Sequence, residues 1–467
     1  MRAPYPLLLL AVLSLSGCIN LAPDYQRPEA AVAEQWNAPE GQQADAQIDW
    51  QSFFVDARLR DTVKLALDNN RDLRIAALDI EKARAQYRIT RADLFPSLSA
   101  TANGSRARSV GTTTSGTSVS SQYSVELGFT SYELDLFGRL GNLKDAALES
   151  YLATEENRRS TQISLVAEVA SAWLTLAADK QLLALAQSTY TSQQKTYELV
   201  RQSHGLGGES GLSLAQAQST VESARADVAS YASQVEQDLN ALNLLAGTTV
   251  PDNLLPGDER MAAAQLVSVP AGLPSSLLQR RPDVLAAEHT LKGSNADIGA
   301  ARAAFFPSVS LTAAAGSAST DLSGLFTGAS QAWSFAPSVS LPIFNAGSNR
   351  ANLDAAKVEN EIQLATYQKT IQTAFREVAD ALAVRRHIDE QLDAQQSLTD
   401  ATQRSYDLSQ ALYKQGSESF LEVLDAQRSL YSAQQSLISL NLSEQNNRVT
   451  LYKVLGGGWQ TAANTER

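Results

Sequence analysis

The chain has 467 residues, 44% of them apolar and 19% charged, with a formal net charge of -12. The apolar share excludes a disordered chain, and a mean hydropathy of -0.20 excludes a bundle of apolar membrane helices. The acidic balance opposes nucleic acid as a partner, because phosphate binding needs a basic surface. Cys18 is the only cysteine, so neither an internal disulfide nor a cysteine metal cage can form. His204, His289 and His387 are far apart and make no ligand pair. Residues 1–467 thus offer no metal site and no nucleophile–base constellation, and the sequence reads as a non-enzyme.

At the N-terminus Arg2 precedes an apolar run, Leu7 to Leu15, of signal-peptide length and too short to span a bilayer. It ends in Leu15-Ser16-Gly17-Cys18, which resembles a bacterial lipobox, with cleavage after residue 17 and a diacylglycerol and acyl chain on Cys18. Ile19 follows instead of the aspartate that retains such lipoproteins in the inner membrane, so outer-membrane sorting is expected. Two or three acyl chains make a firm anchor in lipid.

The expected order is then a lipidated tail (18–50), a first repeat (51–260) and a second (261–467). In the first, a helix at Arg71–Asp93 leads into strands over about 96–110 and 120–136, a long helix over about 139–204 and a helix at 211–247. The second repeats the order: a helix at 283–304, strands over about 306–318 and 331–344, a long helix over about 348–415 and a helix at 418–455. No proline occurs between Ser97 and Val250 or after Pro342, and glycine is missing from Asn142 to His204 and from Ser348 to Gln415. Without those breakers each window reads as one helix, about 95 and 102 Å long. The halves match at an offset of 209: Gly138 with Gly347, Asp145-Ala146-Ala147 with Asp354-Ala355-Ala356, Gly207 with Gly416, Ala217-Gln218 with Ala426-Gln427, and Gly247 with Gly456. A constant offset of this kind marks a tandem repeat. Ile163, Val166, Ala170, Trp173 and Ala177 step by three or four, as do Tyr367, Ile371, Ala374, Val378 and Ala381. That rhythm marks a coiled-coil seam, although a plain helical bundle shares it.

The four strand segments alternate. Tyr123, Val125, Leu127 and Phe129 interleave with Ser124, Glu126, Gly128 and Thr130, and Trp333, Phe335, Val339 and Leu341 with Ser334, Ala336, Ser338 and Ser340. Period two suits a membrane barrel strand or a half-buried soluble sheet. After Thr130 the phase slips, so that Tyr132, Leu134 and Leu136 become the apolar set, as a bulge would cause. Four strands cannot close a barrel in lipid, so a membrane location requires several chains.

The lipobox, Leu21-Ala22-Pro23-Asp24-Tyr25 with Arg27-Pro28 and Trp36, Leu134-Asp135-Leu136-Phe137-Gly138, Arg280-Arg281-Pro282-Asp283 with Ala287-Glu288, and Phe305-Phe306-Pro307-Ser308 together resemble the TolC-like outer-membrane factors. The closest branch in type is the NodT-type lipoproteins serving resistance-nodulation-division pumps. The resemblance implies a mainly α fold with a four-stranded β contribution, assembling as a homotrimer. Its twelve-stranded barrel would continue into a long periplasmic α-helical barrel. It implies a passive exit duct for drugs or other small molecules, partnered by a periplasmic adaptor and an inner-membrane pump. The adaptor-docking tips would be Gly205, Gly207 and Gly208 in one hairpin and Gly416, Ser417 and Glu418 in the other. Leu421-Glu422-Val423-Leu424-Asp425 resembles the family's gate segment, where Glu422 and Asp425, three apart on one helix face, would form acidic rings. Tyr413 matches a tyrosine that locks helices near that gate. Glu418 stands where some relatives carry arginine, so their gate salt bridges do not transfer whole.

Arg281 and Asp283 read as a cap for the helix that follows, with Pro282 fixing its entry. Two other functions share parts of this pattern. A type I secretion duct would share the fold, and a periplasmic coiled-coil scaffold lipoprotein would share the helices but conduct nothing. No glycine-rich loop with a lysine is present to bind a nucleotide, so the energy for transport must come from a partner.

Overall fold

The computed structural model describes residues 19–29, 32, 49–110, 117–257 and 279–457, so Cys18 and Trp36 lie outside the described residues. The elements run α1 (Trp50–Phe53), α2 (Ala57–Asn69), α3 (Arg71–Ala92), β1 (Ser99–Val110), β2 (Thr117–Leu134), α4 (Arg139–Gly205) and α5 (Gly211–Ala246). They continue with α6 (Pro282–Ala303), β3 (Ser308–Ser319), β4 (Gln331–Ser340), α7 (Ser348–Lys414) and α8 (Phe420–Val454). All ten residues of the two sequence seams are buried, none more than 5% exposed. Positive φ among glycines falls at Gly138, Gly207 and Gly247 and again at Gly347, Gly416 and Gly456, each pair 209 residues apart.

The chain divides into two units. One contains Met1–Glu29, Asp79–Glu155 and Ala286–Gln368. Its centre is a four-stranded antiparallel sheet in the order β1-β2-β3-β4. Register places Ala100, Leu127, Ala315 and Trp333 in one row across all four strands, and Phe129, Ala313 and Phe335 in the next. The opposite face carries Ser99, Gly128, Ala314 and Ser334, then Thr101, Glu126, Gly316 and Ala332. One face is therefore apolar and the other small and polar. The expected slip is a bulge between Phe129 and Tyr132, where Ser131 has φ of 56° and donates its N–H to Thr312 Oγ1 at 3.1 Å. The extra residue returns Tyr132 and Leu134 to the apolar face. A Cβ at Gly316 would lie 2.0 Å from the Val125 carbonyl oxygen, so only glycine lets β3 approach β2 there.

In this unit residues 19–29 lie along α6. Arg302 and Asn295 donate to the carbonyls of Leu21 and Pro23, and Arg27 forks onto Glu288 at 2.6 and 3.1 Å. Ile19 N–H donates to the Leu136 carbonyl, just past the end of β2. The paired cations Arg27 and Lys292 hold the Glu288 carboxyl below its ordinary range, against the upward push of burial.

The other unit contains Ala30–Leu78, Glu156–Leu285 and Lys369–Arg467. Its core joins Phe53, Phe54, Leu59 and Val63 to Val166, Val169, Ala170, Trp173 and Leu174 of α4, to Leu242 and Ala246 of α5, and to Val449 and Tyr452 of α8. Phe53 stacks on Tyr452 at 4.2 Å between ring centres. Full burial of each such side chain contributes about 1.5–3 kcal/mol. Asp56 caps α2 by accepting from the N–H groups of Arg58 and Leu59. Asn70 serves two helices: its Oδ1 accepts from Leu73 N–H at the start of α3, and its Nδ2 donates to the Leu245 carbonyl at the end of α5. Gly247 ends α5 with φ of 69°, and a Cβ there would lie 2.4 Å from the Asn69 carbonyl oxygen.

Candidate functional site

The turn between α4 and α5 and the turn between α7 and α8 close in the same way. Gly207 N–H bonds to the His204 carbonyl and Gly208 N–H to the Ser203 carbonyl. Gly416 N–H bonds to the Tyr413 carbonyl and Ser417 N–H to the Leu412 carbonyl. Both are Schellman closures, which require the left-handed φ of 81° at Gly207 and 73° at Gly416. Gly205, Gly207, Gly208, Gly416, Ser417 and Glu418 are all exposed, and Leu206 stands 89% exposed among them.

Tyr413, in the last turn of α7, donates its hydroxyl to Glu209 Oε1 at 2.7 Å, and its ring packs against Phe420 at 5.6 Å. Val200, Ala217, Phe420 and Leu424 form a small core beside it. Tyr431 donates to Asp227 Oδ2 at 3.2 Å and Gln435 donates to the Tyr231 hydroxyl at 3.0 Å. All three pairs are 204 residues apart, and the last two join α8 to α5, so those two helices run parallel in fixed register. Burial first, and the neighbouring carboxylate second, raise the hydroxyl of Tyr413 to about 12 and that of Tyr431 further. Both stay protonated and remain donors.

Glu422 and Asp425 sit one turn apart at the start of α8, both exposed, while Val423, Leu424 and Gln427 face the buried side. The fold thus brings Tyr413 to Glu209 but leaves the two carboxylates pointing away from that contact. Glu422 in the first turn complements the positive end of the helix. Further along, Asp179 of α4 is pushed up to about 7 by burial and by the neighbouring carboxyl of Asp238 of α5.

Arg281 does more than cap α6. Its guanidinium, 11% exposed, forks onto Asp283 at 2.7 and 3.0 Å, reaches Glu377 at 3.0 Å and donates to the Val454 carbonyl at 2.8 Å. It holds the C-terminal end of α8, where a cation is favourable, and lines a cavity of about 880 Å³. Among the described residues no group of three or more His, Cys, Asp and Glu could hold a metal ion.

The family model for outer membrane efflux proteins matches residues 62–248 and 273–457. The chain belongs to the outer membrane efflux protein family. It is 51% identical over 466 residues to the probable efflux pump outer membrane protein TtgC of Pseudomonas putida, covering 97% of this chain and 96% of the relative. It is 45% identical over 456 residues to the outer membrane protein OprJ of Pseudomonas aeruginosa, covering 97% and 95%. Among solved structures, the open state of the Neisseria gonorrhoeae MtrE outer membrane channel superposes with a TM-score of 0.85 at 40% identity, covering 94% of this chain and 99% of that one. The CusC channel gives 0.86 at 42% identity, covering 94% and 100%.

As an outer membrane efflux protein, the chain uses its polar groups for helix closure and inter-helix bonding. Sequence reasoning placed Tyr413 but missed its partner Glu209 and the two rungs beyond it. Spacing carried a signal only for those two rungs. Tyr413, Tyr431 and Gln435 are spaced by 18 and 4 residues, and so are Glu209, Asp227 and Tyr231. The step from Tyr413 crosses the turn between α7 and α8 and that from Glu209 starts in the turn before α5, so only the four-residue steps, Asp227 to Tyr231 and Tyr431 to Gln435, each lie on one helix face.

Proposed function

We propose that the chain is one subunit of a homotrimeric exit duct, which receives small molecules from an inner-membrane resistance-nodulation-division pump through a periplasmic adaptor. The observation that carries this reading is the sheet of an outer-membrane protein with one exposed apolar face and, among the described residues, two unpaired edges, β1 and β4. In lipid each unsatisfied backbone group costs several kcal/mol, so the edges must be paired by other copies. Three copies supply twelve strands, wide enough for a duct, whereas eight would be filled by side chains. The polar face would line the lumen. The six glycines at the constant offset support an internal duplication, so that each subunit contributes two similar hairpins to the helical part.

A lipid anchor on Cys18 fits the position of Ile19. Ile19 itself bonds to the Leu136 carbonyl, at the helix-side end of the sheet. The exposed hairpin turns at Gly205–Gly208 and Gly416–Glu418 are the adaptor's docking points in this reading, with Leu206 supplying apolar area. Glu422 and Asp425 would ring the constriction and favour cations. The duct itself is passive and is not an enzyme.

The test is cross-linked affinity purification from intact envelopes with mass spectrometry. Recovery of a resistance-nodulation-division pump with its adaptor supports the proposal. Recovery of an ATP-driven exporter would make the chain a protein-secretion duct, and recovery of neither partner, with no conductance in bilayers, would leave a scaffold.

A further inference from the structure

The four described strands carry four charged residues, and the sheet sorts them by sign. Glu126 pairs with Thr101 and Gly316, and Glu133 with Ser310, so both acids lie on the small, polar face. Arg106 pairs with Ser121 and Arg108 with Val119, which puts both bases on the face of Leu127, Phe129, Phe335 and Trp333. Chance burial does not explain this, because both arginines are exposed. A base on the lipid-facing side of a barrel is costly at the bilayer midplane and nearly free at the interface.

Their height on the sheet places them at the interface. Apolar rows run from Val309–Val339, near the helix-side end, to Val125–Ser317, eight residues further along β3. At 3.3–3.4 Å per residue that is about 27 Å of strand, close to the roughly 25 Å of a barrel's apolar band. The next row holds Tyr123 opposite Gly104, in the place of an interfacial aromatic. Arg106 and Arg108 come two and four residues beyond Gly104, toward the β1–β2 hairpin and away from the helices.

We propose that Arg106 and Arg108 form a phosphate-binding clamp for an anionic glycolipid headgroup of the outer leaflet. This rests on the membrane-barrel reading above. Guanidinium forks match phosphate oxygens in a way that ammonium does not. Arg108 also has a contact within the chain, and with five N–H donors its guanidinium retains groups for a phosphate. Glu126 and Glu133, on the other face, leave the headgroup side free of strand carboxylates, so the two faces of one sheet present opposite charge to lipid and to lumen.

The protein is reconstituted into phosphatidylethanolamine vesicles carrying either bisphosphorylated or dephosphorylated lipid A, and retained glycolipid is counted by native mass spectrometry after extraction. Wild-type protein is expected to retain the phosphorylated form in preference, on the order of fivefold per arginine. Arg106→Gln with Arg108→Gln should abolish the preference while conductance stays unchanged, and Arg106→Lys with Arg108→Lys should recover only part of it. Glu126→Gln should leave it intact. Equal retention of both lipids by the wild type, or the same preference in the glutamine variant, overturns the clamp. Failure of the wild type to insert into any bilayer would instead overturn the barrel reading beneath it.

Discussion

Tyr413→Phe removes one hydroxyl and little else. The ring contact with Phe420 survives, so no cavity opens and only the bond to Glu209 is lost. A hydrogen bond to a charged group contributes about 1.5–3 kcal/mol. Glu209 is half-exposed, which lowers the expected loss to about 1 kcal/mol per chain. If the bond holds the hairpin ends in a closed arrangement, that loss raises the open-to-closed ratio roughly fivefold per chain, and about a hundredfold when three copies act together. Single-channel recording in planar bilayers measures the ratio directly. Glu209→Gln keeps an acceptor but removes its charge, and should fall between wild type and Tyr413→Phe. The pH dependence has a defined sign. Burial raises the folded hydroxyl from an ordinary value near 10 to about 12, so its contribution is whole below pH 10 and lost as pH rises through 12. An open fraction identical in all three proteins would refute a latch at Tyr413.

Other expected outcomes come from the same physics. Asp179, raised to about 7 chiefly by burial, binds a proton in the folded chain that the unfolded chain releases near pH 4. Stability should therefore decline between pH 4 and 7 and then level off, and Asp238→Asn should flatten that slope in thermal melts at pH 5 and 8; an unchanged slope argues against the pair. Gly416→Ala meets nothing within 4 Å and should cost about 1 kcal/mol for its left-handed φ alone, whereas Gly247→Ala adds a clash with the Asn69 carbonyl and should cost clearly more in urea midpoints. Arg281→Ala strands the Val454 carbonyl and two carboxylates that are about one-third exposed, at a cost of about 3 kcal/mol in heat-induced unfolding, and Arg281→Lys should recover less than half because it cannot fork.

Local chemistry determined much of this protein. The Pro- and Gly-free windows became α4 and α7, because nothing in them interrupts the backbone ladder and each carries a seam to bury. The phase slip after Thr130 became a bulge, since a period of two lets one extra residue reverse every later side chain. Glycines 209 residues apart share a left-handed turn for the same reason each time: only glycine enters it without a Cβ penalty. What joins distant segments was decided by packing. Glu209 is Tyr413's partner, Arg281 reaches Val454 across 173 residues, and Arg27 finds Glu288 across 261. No periodicity encodes such pairs, because a hydrogen-bond partner depends on the three-dimensional register of two helices rather than on spacing along one. The sorting of acids and bases between the two faces of the sheet has the same origin: Arg106 and Glu126 acquire opposite faces only when β1 and β2 pair in one register, and a shift of one residue would have put them on the same side.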